Sequence, residues 1–251
     1  MQWTDEGIVI GVRAHGETGA VAEFLTREHG RHLGFVHGGQ SRKLRPVLQI
    51  GNQVGVEWRA RTADQLGHFK VELSDARAAA LMDDPAAVSG LLALAEMARL
   101  LPEREPHANL YEVTQFVLSF LDDLAIWPAM YVRWELALLE ELGIGLDLAA
   151  CAATGTRDDL VYVSPRSGRA VSRDAGRAYA DRLFVLPGFL RRGDNRAVEL
   201  PDAVAGLEMT AHFFERRLLG PEGRGLPEPR KRLSQFLSER SAPSPRSADT
   251  D

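Results

Sequence analysis

Residues Gly30–Gly51 read GRHLGFVHGGQSRKLRPVLQIG, and the rest of the chain is best read outward from them. Arg31 to His37 alternates as a strand does, with Leu33 and Phe35 on one face. Gly38-Gly39 breaks that strand. The loop beyond carries Arg42, Lys43 and Arg45 with no acid among them, Pro46 ends it, and a second strand-like run starts at Val47. A glycine-hinged cationic loop between strands suits a polyanion backbone, because glycine permits close approach and guanidinium groups bond phosphate oxygens. A solvated hairpin tip has the same composition, so the loop alone does not assign a function.

Strand texture extends to both sides. Gly7–Arg13 places Ile8, Ile10 and Val12 on one side, and Val21–Arg27 follows a turn built on Gly16 and Gly19. Val47–Arg59 reads as a long strand with Gly51 and Gly55 inside it, and Leu66–Leu73 repeats the alternation with Phe69, Val71 and Leu73. Five strands with short turns within residues 3–75 predict an OB-like barrel, since closure removes open sheet edges. Near Ala76 the period changes from strand to helix. Residues 85–101, 107–124 and the segment after Pro128 carry apolar residues at helical spacing. Gly143 stops the last of these, in which Val132, Leu136, Leu139 and Leu142 are predicted inside. Residues 146–195 lose that period, with a short strand at Leu160–Val163 and a hairpin at SPRSGRAV. Helical spacing returns at 203–219 and 231–239, and the Ser/Pro/acid-rich tail 241–251 has the composition of disorder. The predicted class is α+β: a barrel over 1–79, a helical domain from 80–145 and 196–240, and an insertion at 146–195.

The chain of 251 residues has a net charge of −5, so the molecule as a whole does not attract nucleic acid. The local balance differs. Between Phe24 and Pro46, Arg27, Arg31, Arg42, Lys43 and Arg45 face Glu28 alone, with His15, His29, His32 and His37 nearby. That positive island says more than the global charge. The opening MQWTDEGIVIGV carries acids where a signal peptide needs a basic start, and no apolar run approaches the ~18 residues of a membrane span. A single cysteine, Cys151, excludes an internal disulfide and fits a reducing compartment, so a cytoplasmic location is expected.

Catalytic constellations are missing from the sequence. Gly34 and Gly39 have the spacing of a phosphate-binding loop, but Gln40 stands where that motif needs lysine. His29 and His32 could share a metal only on a helix, and the local pattern is turn and strand. Asp122-Asp123 and Glu140-Glu141 are adjacent pairs that diverge by about 100° on a helix and cannot form one acid–base dyad. Phe24, Phe35, Trp58 and Phe69 are candidate base stackers, although alternation assigns Trp58 and Phe69 to the core.

Several segments together resemble the RecO family of bacterial recombination mediators. These are Gly16-Glu17-Thr18-Gly19-Ala20, the Gly-Gly-x-Ser-Arg-Lys block ending at Leu48-Gln49, and Arg133–Gly143 (RWELALLEELG) followed by Gly145-x-Asp147-Leu148 and Cys151-Ala152. The resemblance covers nearly the whole chain. It implies an N-terminal OB domain, a helical domain, and a zinc-ribbon-like element inserted at 146–195. It also implies single-stranded DNA binding and annealing, with duplex DNA left open as a ligand. The implied partners are RecR and SSB, which is replaced by RecA on the strand, and the implied place is the cytoplasm at the nucleoid. Many members carry four zinc-ligating cysteines in C-A-x-C-G and V-C-R-D-C. Here those positions are Cys151, Thr154, Ser172 and Ala175, so no zinc is expected and the element is degenerate. DNA contact is assigned to Arg27, Arg31, Arg42, Lys43 and Arg45. The acidic, aromatic C-terminal tail of SSB is assigned to Arg133, which edges the predicted apolar stripe, with Arg216 and Arg217 as further candidates. The competing reading is a non-enzymatic interaction scaffold whose barrel is purely structural.

Overall fold

A computed structural model describes residues 1–194 and 196–242. Five strands, β1 (Gln2–His15), β2 (Gly19–Thr26), β3 (Gly30–Val36), β4 (Gln53–Arg59) and β5 (His68–Asp75), form a barrel in the order β1-β2-β3-β5-β4. All pairings are antiparallel except a short parallel seam, where Phe35 and Val36 of β3 meet His68 and Phe69 of β5, and β4 returns to pair with β1. Val9, Ala22, Phe24, Val36, Val54, Val56, Trp58 and Phe69 fill the interior. Small Ala20 and Ala22 share this core with large Trp58 and Phe69, a mix of sizes that suits the interior of a narrow barrel.

β3 keeps the predicted alternation, with Leu33 and Phe35 on one face. His32, Gly34 and Val36 point inward, and Leu33 and Phe35 lie on the outer, half-buried face with Arg31. Inside, His32 meets Trp3, Trp58 and Phe69 edge-on, and neither of its ring nitrogens has a partner. Burial, then the charges of Arg104 and His29, lower its pKa to about 4, so the imidazole is neutral at pH 7. One strand expectation needs correction: of the run Val47–Arg59 only Gln53–Arg59 is strand, and residues 47–52 are not. Leu44, Val47 and Leu48 have helical spacing and pack on the barrel core from a series of turns, closed by Arg45 N–H to Ser41 O (2.9 Å) and Leu48 N–H to Leu44 O (3.0 Å). Buried Asn52 holds the end of these turns by donating to the carbonyls of Pro46 and Val47.

Helices α1 (Arg77–Leu81), α2 (Pro85–Ala98), α3 (Ala108–Leu118) and α4 (Trp127–Glu141) follow. Asp84 caps α2, accepting from the N–H groups of Ala86 and Ala87 just before Pro85 opens the first turn. Along α4 the buried side includes Trp127, Tyr131, Trp134, Glu135 and Leu138; Leu136 and Leu142 are only partly buried. Phe116 of α3, one of the apolar residues at helical spacing in 107–124, is 58% exposed.

The chain divides into two compact units, Met1–Gly145 with Pro227–Arg230, and Leu146–Leu226 with the residues from Lys231 onward. The second unit holds β6 (Leu160–Val163), β7 (Ala170–Ser172), the short α5 (Arg173–Gly176) and β8 (Phe184–Val185), with sheet order β7-β6-β8. It also holds α6 (Leu200–Phe214), extended by a π-helical turn at Glu215–Leu219. A last helix, α7 (Glu228–Ser241), begins in the first unit and continues in the second. From residue 243 on, the tail expectation lies outside the described residues.

Candidate nucleic-acid interface

The outer side of β2 and β3, a nucleic-acid face in many OB folds, is covered at its Arg31 end. Glu23 on β2 takes Arg31 of β3 on one carboxylate oxygen and Arg99, at the end of α2, on the other (2.9 Å). Arg31 also donates to the Leu101 carbonyl at 2.6 Å. Its guanidinium is therefore an internal clamp between barrel and helix. Arg27 is also engaged, bonding Glu112 of α3 at 2.7 Å. Sequence assigns both to DNA; in the structure both join the barrel to the helices beside it.

Arg42, Lys43 and Arg45 behave differently. All three are exposed, and none makes an ion pair among the described residues. They project from the turns that replace the predicted strand, with Leu44 anchored on the barrel between Lys43 and Arg45. Gly38 turns the chain with φ of 66°, a conformation that side chains other than glycine resist. Gly39 lies against Ala20 so closely that an added Cβ would sit 2.6 Å from the alanine methyl. Gln40 then ties the loop to the β1–β2 turn: its backbone N–H donates to Thr18 O (3.0 Å) and its side-chain amide to Gly16 O (3.1 Å) and Gly19 O (2.9 Å). The glutamine that breaks the phosphate-loop motif is a loop clamp. Lys43 also borders a groove of about 620 Å3 over β4 and β5, whose lining mixes Lys70 with Asp5, Glu57 and Glu72. That mixture makes the loop, rather than the groove floor, the cationic element.

On α4, Arg133 and Glu140 are both exposed, while Glu112 of α3 is engaged by Arg27. In the second unit, Arg217 donates to Ser167 O (2.6 Å) and lies over the Phe213 ring (4.7 Å), while Arg216 is exposed and without an ion pair among the described residues. Burial and the neighbouring Arg216 charge push the Arg217 pKa down.

Of the four positions that the resemblance matches to zinc ligands, Cys151, Thr154 and Ser172 come together. Buried Cys151 accepts hydrogen bonds at sulfur from the Ser172 N–H (3.3 Å) and hydroxyl (3.4 Å), with the Thr154 hydroxyl also engaged. Burial raises the thiol pKa, and the Ser172 and Thr154 hydroxyls with the Ser172 and Ala153 amides more than reverse that, bringing it down to about 6. One sulfur, two hydroxyls and the methyl of Ala175 do not make a zinc tetrahedron. Among the described residues no three His, Cys, Asp or Glu side chains gather to hold a metal. No helix among them is long and apolar enough to cross a membrane.

Fold and site together define an α+β protein built on an OB-like barrel with a free cationic loop at its rim. The profile described as Recombination protein O N terminal matches residues 1–77, and Recombination protein O C terminal matches 82–224. The chain is 51% identical over 238 residues to a "DNA repair protein RecO" of Methylorubrum extorquens, covering 93% of this chain and 97% of that one. It is 49% identical to the protein of the same name from Sinorhizobium medicae, over 89% of each chain. The chain belongs to the RecO family, and its role lies in DNA repair and recombination.

Proposed function

We propose that this chain binds and anneals single-stranded DNA and, with RecR, helps RecA replace SSB on coated strands, without catalysing a covalent step. The observation that carries the reading is the acid-free loop of Arg42, Lys43 and Arg45, whose charges are exposed on the barrel rim and make no ion pair among the described residues. Unpaired cations on a pinned loop can neutralise phosphates without first breaking internal ion pairs. The test is binding of the full chain to an oligonucleotide as salt is varied. Phosphate contacts give a slope in log K of roughly −0.7 each on single strands. No binding at low salt refutes the reading and leaves the barrel as a scaffold for protein partners.

The SSB tail is assigned to the exposed side of α4 at Arg133, with Arg216 as the further candidate that the second unit leaves exposed. A guanidinium takes a terminal carboxylate in two parallel hydrogen bonds. Arg133→Ala is expected to weaken binding of the tail peptide by roughly 1.5–3 kcal/mol, the range of a charged hydrogen bond. Wild-type peptide affinity with a lowered melting temperature would instead make Arg133 a purely structural residue.

The ribbon corner is proposed to stand on its hydrogen bonds to Cys151 rather than on metal. Purified protein is expected to carry no stoichiometric zinc and to melt at the same temperature with and without a chelator. One zinc per chain by metal analysis would show that other ligands had replaced the missing donors.

A further inference from the structure

The barrel contains five aromatic side chains besides histidine: Trp3, Phe24, Phe35, Trp58 and Phe69. Phe24, Trp58 and Phe69 are sealed in the core. Trp3 is stacked on both sides, with His29 at 4.0 Å and Trp58 at 5.6 Å. Phe35 alone reaches the outer surface with no ring lying flat upon it. Its ring rests on the backbone of Gly19 across the strand pair, and any Cβ at position 19 would collide with it.

Three exposed histidines flank it. His15 meets Phe35 edge-on at 5.6 Å, His37 meets it at 4.7 Å, and His68 lies 5.8 Å beyond His37. His15 ends β1, His68 begins β5 and pairs in register with Phe35, so the four rings run along the rim where the barrel closes. The rim loop on the β5 side is held by Arg104, which donates to the carbonyls of Ala63 and Gln65. On the other side, Gln40 joins the β1–β2 turn beside His15 to the loop that carries Arg42, Lys43 and Arg45. The histidines are not arranged with a third ligand for a metal among the described residues.

We propose that Phe35, with His15, His37 and His68, forms a base-stacking strip for single-stranded nucleic acid. The adjoining cationic loop would hold the phosphates while the bases turn toward the rings. The inference rests on the single-strand binding proposed above and says where the bases go. Aromatic stacking tolerates any sequence, because every base has a π-face, and it adds affinity without releasing counterions.

The test compares an oligothymidylate with an abasic oligomer of equal length, on the full chain at pH 8, where an ordinary imidazole is neutral. Phe35→Leu keeps an apolar group over Gly19 but removes the π-face. The double variant His37→Ala/His68→Ala alters only exposed rings and keeps the test valid if Phe35→Leu fails to fold. Each is expected to bind oligothymidylate roughly five- to a hundredfold more weakly, with an unchanged salt slope and little change on the abasic strand. Folded variants that bind oligothymidylate like the wild type overturn the strip, as does an equal loss on both oligomers or a shallower slope. If the wild type binds both oligomers equally, with a normal salt slope, the strip falls while single-strand binding stands. If it binds neither at low salt, both fall.

Discussion

Alanine at Arg42, Lys43 and Arg45 together is expected to flatten the salt dependence of single-stranded DNA binding by up to about two units of slope, at roughly 0.7 per lost phosphate contact. Across a fourfold rise in salt, from ~50 to ~200 mM, the wild type would then lose roughly twentyfold more affinity than the variant. The fold should be unaffected. None of the three side chains makes an ion pair among the described residues, and the loop is anchored by Leu44, Leu48, Asn52 and Gln40 instead. Arg31→Ala is the contrasting control. It removes a clamp shared by Glu23 and Leu101 O, so its effect should fall on stability. An unchanged slope in a folded triple variant would place the DNA elsewhere on the molecule.

Arg230→Ala is expected to destabilise the protein by about 3–5 kcal/mol, the cost of stranding one member of a buried ion pair. Arg230 and Glu135 are both fully buried and meet through two hydrogen bonds of 2.5 and 2.8 Å, and the guanidinium lies 5.9 Å from the Tyr131 ring. This pair fastens the start of α7 to α4 within the first unit. Because the penalty comes from the charge left behind, the double variant Glu135→Leu/Arg230→Met should regain most of the loss. Urea unfolding of the single and double variants checks both statements. A single variant within about 1 kcal/mol of wild type, below the usual cost of an uncompensated buried charge, would mean that the carboxylate is not stranded.

Strand and helix periods were legible because they record a local choice. Alternation needs one buried and one open face, and in β4 and β5 that choice could be read correctly from Val54, Val56, Trp58 and Phe69. β3 shows the limit. Its outer face is half covered by neighbouring elements, so Leu33 and Phe35 are compatible with either side, and buried His32 is neutral enough to sit in the core. Residues 47–52 misled for a different reason. Leu48 and Ile50 can be read at period two, or Val47 and Leu48 at helical spacing once Leu44 is included, and only contact with the barrel selects the second.

By itself the sequence determined the α+β class, the five-stranded barrel, the family and the acid-free loop. Each depends on residues close together in the chain or on the combined motifs. Only the tertiary structure decided which cations remain available. Arg27 and Arg31 resembled Arg42 and Arg45 until folding brought Glu112 to the first and Glu23 and Leu101 O to the second. It likewise turned Glu135, indistinguishable in sequence from its solvated neighbour Glu140, into half of a buried pair with a partner 95 residues away. Ion pairing depends on distance in space, and a charge far along the chain reaches its partner only after the core has packed.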